Sequence, residues 1–356
     1  MNLTDQHNMT DSAAGLEPAI SVVMPAYNAE RYLDQAIQSI LDQDFQNFEF
    51  IIIDDASTDN TLSILNAFAT KDQRIKIHCN VENLGVAESL NLGFKMARGR
   101  YIARMDADDI SLPQRFSKQA AFLDANSDFA FVGTGYQIIN ADGRITRTDI
   151  EATEAWECEW MSIFRMPVIH PSMMIRASIV QQNRISYDES YKAAQDIKFT
   201  QDLLQYGSGR CLPIVAFQYR KHENNVSNKK RSTQIEARLR AVTNNAMECF
   251  PSIEHDKVFH LFSFLVSPKK AHHSIPSLID TMQIIENEFR QKRHLDSEQV
   301  KRINTLSSRW IAIGALNSLQ LRNPKNTISF LWHSRAYARA YLSEAISYFS
   351  RRIQRG

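Results

Sequence analysis

The chain has 356 residues, 44% of them hydrophobic, and a formal net charge of +1. That length suits roughly two domains of about 150 residues each, the apolar share can build a sizeable core, and the near-neutral balance excludes the global positive field of a nucleic-acid binder. Four cysteines, Cys79, Cys158, Cys211 and Cys249, stand far apart without a CxxC pair, which excludes a zinc ribbon or disulfide framework and fits reduced thiols in the cytosol.

Residues 1–18 are polar, are expected to form a flexible tail, and lack the charged and apolar regions of a signal peptide. No run of about 18 apolar residues occurs, so no spanning helix is expected. These features predict a cytoplasmic protein, free or peripheral on the inner face of the membrane.

From residue 19 strands and helices alternate. Ile20 to Met24 is an apolar strand ending at Pro25, and Asn28 is placed to cap a helix carrying Leu33, Ile37, Ile40 and Leu41. Phe50 to Asp54 reads as a buried strand. The helix after Ser57 and Thr58 puts Leu62, Leu65 and Ala69 on one face. Arg74 to His78 is a third strand. Asn83-Leu84-Gly85 turns into a helix with Val86, Leu90 and Phe94 in register, and Tyr101 to Met105 is a fourth strand. This order predicts an α/β fold, a mostly parallel sheet flanked by helices.

Pro113 opens a helix with Phe116, Ala120 and Leu123. A strand at Phe129 to Val132 leads to a hairpin over Tyr136 to Thr148, turning at Asp142-Gly143. A helix follows from Trp156 to Phe164, then His170-Pro171, a strand over Ser172 to Arg176, and a helix from Asp196 to Tyr206 stopped by Gly207. After Ser227 the chain becomes helical and poor in glycine. The expected division is a tail over 1–18, an α/β domain over 19–228 and a helical region over 229–356.

Acidic residues fall where strands end. Asp54-Asp55 closes the second strand, and Asp106-Ala107-Asp108-Asp109 closes the fourth. Carboxyl ends of parallel strands share one rim, where open sheets bind ligands. Clustered carboxylates repel one another until a hard divalent cation joins them, often together with substrate phosphates.

Taken in order, Met24-Pro-Ala-Tyr-Asn28, Ile53-Asp-Asp-Ala-Ser-Thr-Asp59, Asn83-Leu-Gly85, Ala97-Arg-Gly-Arg-Tyr101 and the DxD triplet Asp106-Ala-Asp108 closely resemble the motifs of glycosyltransferase family 2, whose fold is called GT-A. The resemblance runs from about residue 19 to 225. It implies a metal-dependent, inverting transfer of one sugar from a nucleotide sugar, a UDP-sugar first, to a hydroxyl acceptor in bacterial polysaccharide or lipopolysaccharide synthesis. It also implies that Pro25, Tyr27 and Asp55 surround the nucleobase and ribose, with Tyr27 stacking and Asp55 accepting a hydrogen bond from the base, and that Asn83 contacts the nucleotide sugar. Asp106 would hold the ribose and the ion. Asp108 would be the principal ligand of Mg²⁺ or Mn²⁺. Arg104 pairs with phosphate or with Asp106. Asp54 stands behind these residues or stabilises the fold, and Asp59 favours the start of its helix.

The implied general base is Asp196 in Ala194-Gln195-Asp196, where the family usually has Glu-Asp. A positioned carboxylate that takes the acceptor proton contributes about 10²–10⁴-fold. His170 in His170-Pro-Ser172 has two readings, lining the acceptor pocket or a satisfied structural histidine. His222 in Tyr219-Arg-Lys-His222 also has two, a ligand of metal or diphosphate or a surface-loop residue.

Neither a GxGxxG turn nor a GKS/GKT loop is present, which argues against a dinucleotide oxidoreductase and weakens a sugar nucleotidyltransferase. Arg309-Trp310 lacks the preceding glutamine of the QxxRW motif of processive synthases. Leu342, Ile346, Phe349 and Ile353, with Arg335, Arg339, Arg351, Arg352 and Arg355, outline a basic amphipathic helix. It packs on its neighbours or a second subunit, or lies on an anionic membrane near a lipid-linked acceptor. Trp310 to Leu316 reads as a buried core helix. A non-catalytic scaffold of a glycan-assembly complex is the alternative without chemistry, and calorimetry with UDP and Mn²⁺ separates it from an enzyme.

Overall fold

The structure, a computed structural model, describes residues 17–191, 194–223, 225, 231–267 and 274–317. Its strands are β1 (Ile20–Ala26), β2 (Phe48–Asp54), β3 (Ile75–Cys79), β4 (Tyr101–Arg104), β5 (Ile110–Ser111), β6 (Phe129–Ile139), β7 (Ile145–Asp149), β8 (Met174–Arg176) and β9 (Ser208–Arg220). They form one sheet in the order β3-β2-β1-β4-β8-β6-β9-β5, with β7 added to β6. The first four strands pair in parallel. β8 pairs antiparallel with both β4 and β6, whereas β6 and β9 are parallel.

β1 lies between β2 and β4, and its nearly continuous burial is that of a strand covered on both faces. Its alternate side chains divide the core. Val22 and Met24 join α1 (Leu33–Leu41) and α4 (Arg115–Ala125) through Leu33, Ile37, Phe116 and Leu123. Val23 faces the other way, toward α3 (Val86–Met96) through Leu90 and Phe94. Gly99, between α3 and β4, runs against β1 so closely that an added Cβ would stand 2.6 Å from the Ser21 nitrogen. Its own N–H donates to Ser21 Oγ at 2.8 Å. The glycine of Ala97-Arg-Gly-Arg-Tyr101 therefore seats β4 beside β1.

Several local features differ from the expectation. Asn28 does not cap α1, which begins at Leu33 behind Tyr32. Asn28 instead adopts a left-handed conformation, φ 48°, and its Oδ1 accepts from Thr58 N at 2.8 Å. A short polar side chain tolerates that conformation and bonds locally. On α2 (Thr61–Ala69) Leu65 is buried but Leu62 is exposed. The strand at Phe129 continues to Ile139 and merges with the hairpin. β9 is an addition to the elements read from the sequence. It contains Pro213, and its register against β6 jumps between Leu212 and Val215, the kind of irregularity at which a sheet accepts proline.

The remaining helices are α5 (Ala155–Ser162), α6 (Ala177–Gln182), α7 (Gln195–Leu204), α8 (Arg231–Cys249), α9 (His255–Val266), α10 (Ile275–Arg293) and α11 (Ser297–Asn317). A second core joins Trp160, Phe164 and Ile197 to Val242, Phe262, Phe289 and Ile311. Trp160 lies 5.0 Å from Phe289 and stacks on Trp310 at 6.5 Å. Glu157 and Glu159 of α5 pair with Arg302 and Arg293 at 2.6 and 2.7 Å. Trp310 thus belongs to a packed helix, as expected. The basic helix around residues 335–355 lies outside the described residues. Among the described residues no helix is long and apolar enough to cross a membrane.

Arg115 of α4 fixes the end of β4. It is fully buried, and its Nη2 donates to the carbonyls of Arg104 and Met173 at 2.7 and 3.1 Å. Burial pushes its pKa down to about 9, with nearby Arg104 acting in the same direction. Arg115→Met should leave these carbonyls without their donor and cost about 2–4 kcal/mol. The midpoint of urea unfolding measures this loss, and an unchanged midpoint would refute it.

Candidate active site

β2 and β4 flank β1, so their carboxyl ends open on one rim about two strand spacings, roughly 10 Å, apart. The β2 end builds a loop platform. Asp55 is buried, and its Oδ1 accepts from Asn80 Nδ2 at 2.7 Å and Leu84 N at 2.9 Å. Its Oδ2 accepts from Gly85 N at 2.8 Å, and Asn83 Nδ2 reaches the Asp55 carbonyl at 3.3 Å. Gly85 has φ 94°, a backbone conformation that L side chains rarely adopt. Asp55 thereby shapes Asn83-Leu84-Gly85 and keeps one lone-pair position of its carboxylate.

Tyr27 follows β1 with half its surface exposed, and Pro25 beside it is half-buried. Asp59 caps the start of α2 through Thr61 N at 2.9 Å and also accepts from Glu30 N at 3.2 Å. Burial works to raise its pKa, but these bonds prevail and hold it below the ordinary value. Asp59 therefore stitches the turn after β1 to α2, a role beyond favouring a helix start. Asp54 is buried with Oδ1 unpartnered. Asp55→Ala should accelerate hydrogen exchange at Leu84 and Gly85 by roughly tenfold or more, since both backbone N–H groups lose a charged acceptor together. Unchanged exchange would rule out the shaping role.

At the β4 end, Asp106, Asp108 and Asp109 each offer an oxygen within 4.8 Å of the others. Arg104 is buried and pairs with Asp106 Oδ2, one of its two expected partners, at 2.5 Å. Asp109 is fully buried. Its Oδ1 accepts from Arg220 N at 2.7 Å, and its Oδ2 has no partner. Burial first, then the Asp108 and Asp106 charges, raise the Asp109 pKa far above the ordinary value. Asp108 is also raised, by burial and then by Asp106, against the opposing pull of His222.

The end of β9 closes over this cluster. His222 Nε2 lies 2.8 Å from Asp108 Oδ2, and Asn225 Nδ2 donates to the same oxygen at 3.2 Å. Asn225 Oδ1 accepts from His222 N at 2.6 Å. Arg220 Nε donates to the Asp108 carbonyl at 2.8 Å, while its guanidinium covers the Tyr32 ring at 4.5 Å. His222 is therefore placed beside the acidic cluster and not on a remote surface loop. Sequence reading assigned Asp109 only to the acidic run that closes the fourth strand and gave no role to Asn225 or Tyr32, which carried no signal of their own.

Asp196 lies half-buried in the first turn of α7, and its Oδ1 accepts from Ile197 N at 3.0 Å. Ala194 before it is left-handed, φ 60°, an unusual conformation for a non-glycine residue. Burial raises the Asp196 pKa, opposed by the Ile197 N–H and then by the Arg104 charge. Arg104 thus connects the base candidate electrostatically with Asp106. His170 is buried, with Nε2 2.8 Å from the Tyr187 hydroxyl. Burial and then Arg104 depress its pKa well below the usual histidine value. That geometry matches the satisfied structural histidine, one of its two readings. Tyr187 stacks on Phe199 of α7 at 4.1 Å, which braces the helix carrying Asp196.

The model of glycosyl transferase family 2 matches residues 21–188. An uncharacterized glycosyltransferase of Haemophilus influenzae is 35% identical over 228 residues, 62% of this chain and 70% of that relative. The putative teichuronic acid biosynthesis glycosyltransferase TuaG of Bacillus subtilis is 38% identical over 139 residues, 39% of this chain and 55% of TuaG. The chain thus spans little more than half of TuaG. Among solved structures, S. aureus TarS 1-349 in complex with UDP-GlcNAc superposes with a TM-score of 0.56 at 20% identity, covering 93% of this chain and 91% of that one. This likeness supports a GT-A type fold.

Proposed function

The chain belongs to glycosyltransferase family 2, and from that premise we propose that it moves a single sugar, hexosyl or N-acetylhexosaminyl, from a UDP-sugar to an acceptor hydroxyl with inversion. The acceptor is a glycan or lipid-linked glycan in bacterial polysaccharide or lipopolysaccharide synthesis. The observation that carries this reading is the acidic cluster of Asp106, Asp108 and Asp109 at the end of β4, with Arg104 paired to Asp106 and His222 beside Asp108. TuaG, named for polysaccharide biosynthesis, and TarS, seen with UDP-GlcNAc, supply the direction for acceptor and donor.

The donor set fits Mg²⁺ or Mn²⁺. It is rich in carboxylate oxygen, with His222 alongside and the Asp109 Oδ2 buried without a partner. Asp108, with Asp106 and His222, would hold the ion. When bound, it supplies Lewis-acid neutralisation of the charge on the departing diphosphate. Tyr27 offers an exposed ring for the base, and Asp55 keeps an acceptor site for a base N–H. Asp196 takes the acceptor proton as the hydroxyl attacks. One base acting on one displacement inverts the anomeric centre.

A donor screen that reads UDP and GDP release, with Mg²⁺ or Mn²⁺ and with EDTA, tests the proposal. UDP release that needs both metal and acceptor is expected, with mass spectrometry showing one added sugar. Pyrophosphate release from a nucleoside triphosphate, or no binding of UDP with Mn²⁺, would overturn it.

A further inference from the structure

Asparagine is a poor residue for a helix interior, because its amide competes for backbone groups. Asn91 nonetheless lies buried in the middle of α3. Its Oδ1 accepts from Tyr187 N at 2.8 Å, and its Nδ2 donates to the Tyr187 carbonyl at 2.9 Å. One side chain thus holds both backbone groups of a residue 96 positions away, as a neighbouring strand would hold them. Nδ2 also reaches Glu189 Oε1 at 3.2 Å. Phe94 follows three residues later, on the same face of α3, and meets the Tyr187 ring edge-on at 5.6 Å.

Tyr187 passes this hold on to α7. Its ring stacks on Phe199 at 4.1 Å, and Phe94 closes edge-on against Phe199 at 5.7 Å. Its hydroxyl lies 2.8 Å from His170 Nε2, on the segment before β8. Burial raises the Tyr187 pKa, so the phenol stays protonated in that bond. Phe199 stands one turn after Asp196, and Thr200 Oγ1 closes the same turn on the Asp196 carbonyl at 2.8 Å. No side chain caps the start of α7 at Ala194, where a cap would otherwise steady the first turn. Ile197 packs in the second core with Val242 and Phe262, whereas Phe199 packs with Tyr187, Leu90 and Phe94. The turn that carries Asp196 is therefore fixed from the α3 side by Tyr187.

We propose that Asn91 and Tyr187 are positioning residues for Asp196: the asparagine fixes the Tyr187 backbone, and the tyrosine ring sets where α7 holds the carboxylate against the attacking hydroxyl. This rests on the reading of Asp196 as the base of the transferase above, and adds two residues that act through it. A displacement of about 1 Å in a catalytic site can cost about 10²-fold in rate, so such a brace governs turnover without touching substrate. α3 also begins behind Gly85, whose N–H is bound to Asp55. One helix thus joins the loop at the β2 end to the hold on the base.

The test uses the full chain with Mn²⁺ and water as the acceptor. It reads UDP release from whichever of UDP-GlcNAc, UDP-glucose and UDP-galactose the parent hydrolyses fastest. Asn91→Ala and Tyr187→Leu are made in the parent and in Asp196→Asn. In the parent each should lower kcat by about 10–10²-fold. UDP affinity by calorimetry should stay within about twofold and reports that the variants are folded. Tyr187→Phe keeps the ring and both Asn91 bonds, and should lose less than Tyr187→Leu. In Asp196→Asn the same changes should alter the residual kcat by less than about threefold, because no carboxylate is left to position. An equal fall in both backgrounds would mark a merely structural role and overturn the proposal. So would an unchanged kcat in the parent, or a fall matched by lost UDP affinity. Hydrolysis of none of the three donors by the parent would instead defeat the transferase reading, and full activity of Asp196→Asn the assignment of the base; the proposal falls with either.

Discussion

Asp108→Ala is expected to lower sugar transfer by more than about 10²-fold, the upper range for losing even an outer partner of a metal ligand. Asp108 is the member of the acidic cluster that both His222 and Asn225 reach, so its removal also releases the closing segment after β9. Stability should move differently. Without a cation, Asp106, Asp108 and Asp109 crowd like charges into a buried corner, and deleting one relieves repulsion. The unliganded variant should therefore melt no lower than the parent. The parent should gain thermal stability from UDP with Mn²⁺, and the variant should lose most of that gain. A variant that turns over normally, or that Mn²⁺ and UDP stabilise fully, would remove Asp108 from the site.

Asp196→Asn is expected to cut kcat by about 10²–10⁴-fold while leaving UDP affinity intact. Asparagine retains the size and the bond to Ile197 N but cannot take a proton. The pH profile supplies the sign. Burial raises the Asp196 pKa above 3.8, against the Ile197 N–H and Arg104. A base works as the carboxylate, so activity should fall as pH drops through a value above that of an ordinary aspartate. That acid limb should vanish from the residual activity of Asp196→Asn. An acid limb surviving in the variant would assign it to another group.

The first half of the fold was legible because its strands are buried on both faces and read as continuous apolar runs. Phe50 to Asp54 is an example, all of it buried. β9 was not legible. Its burial alternates irregularly, and Pro213 interrupts the pattern where the register slips. The divide at the site has the same physical origin. Asp106 and Asp108 announce themselves as neighbours in sequence. Arg220 reaches Asp109 across 111 positions, and Asn225 reaches Asp108 across 117. No local pattern encodes such a meeting, since it arises only once β5 pairs with β9. Asp55 shows a subtler limit. Its position at the rim was readable, but its service to Leu84 and Gly85 depends on a loop conformation that residue types alone do not specify.

The aromatic seam of Trp160, Phe289 and Trp310 bears on how such enzymes diversify. A recombination point near residue 228 would be clean along the gene and ragged in space, because the incoming helices would meet a foreign Trp160 and Phe164. Ile197, next to Asp196, lies in that same seam. Substituted helices would have to fit α5 and α7, or the turn that carries Asp196 would shift with the seam.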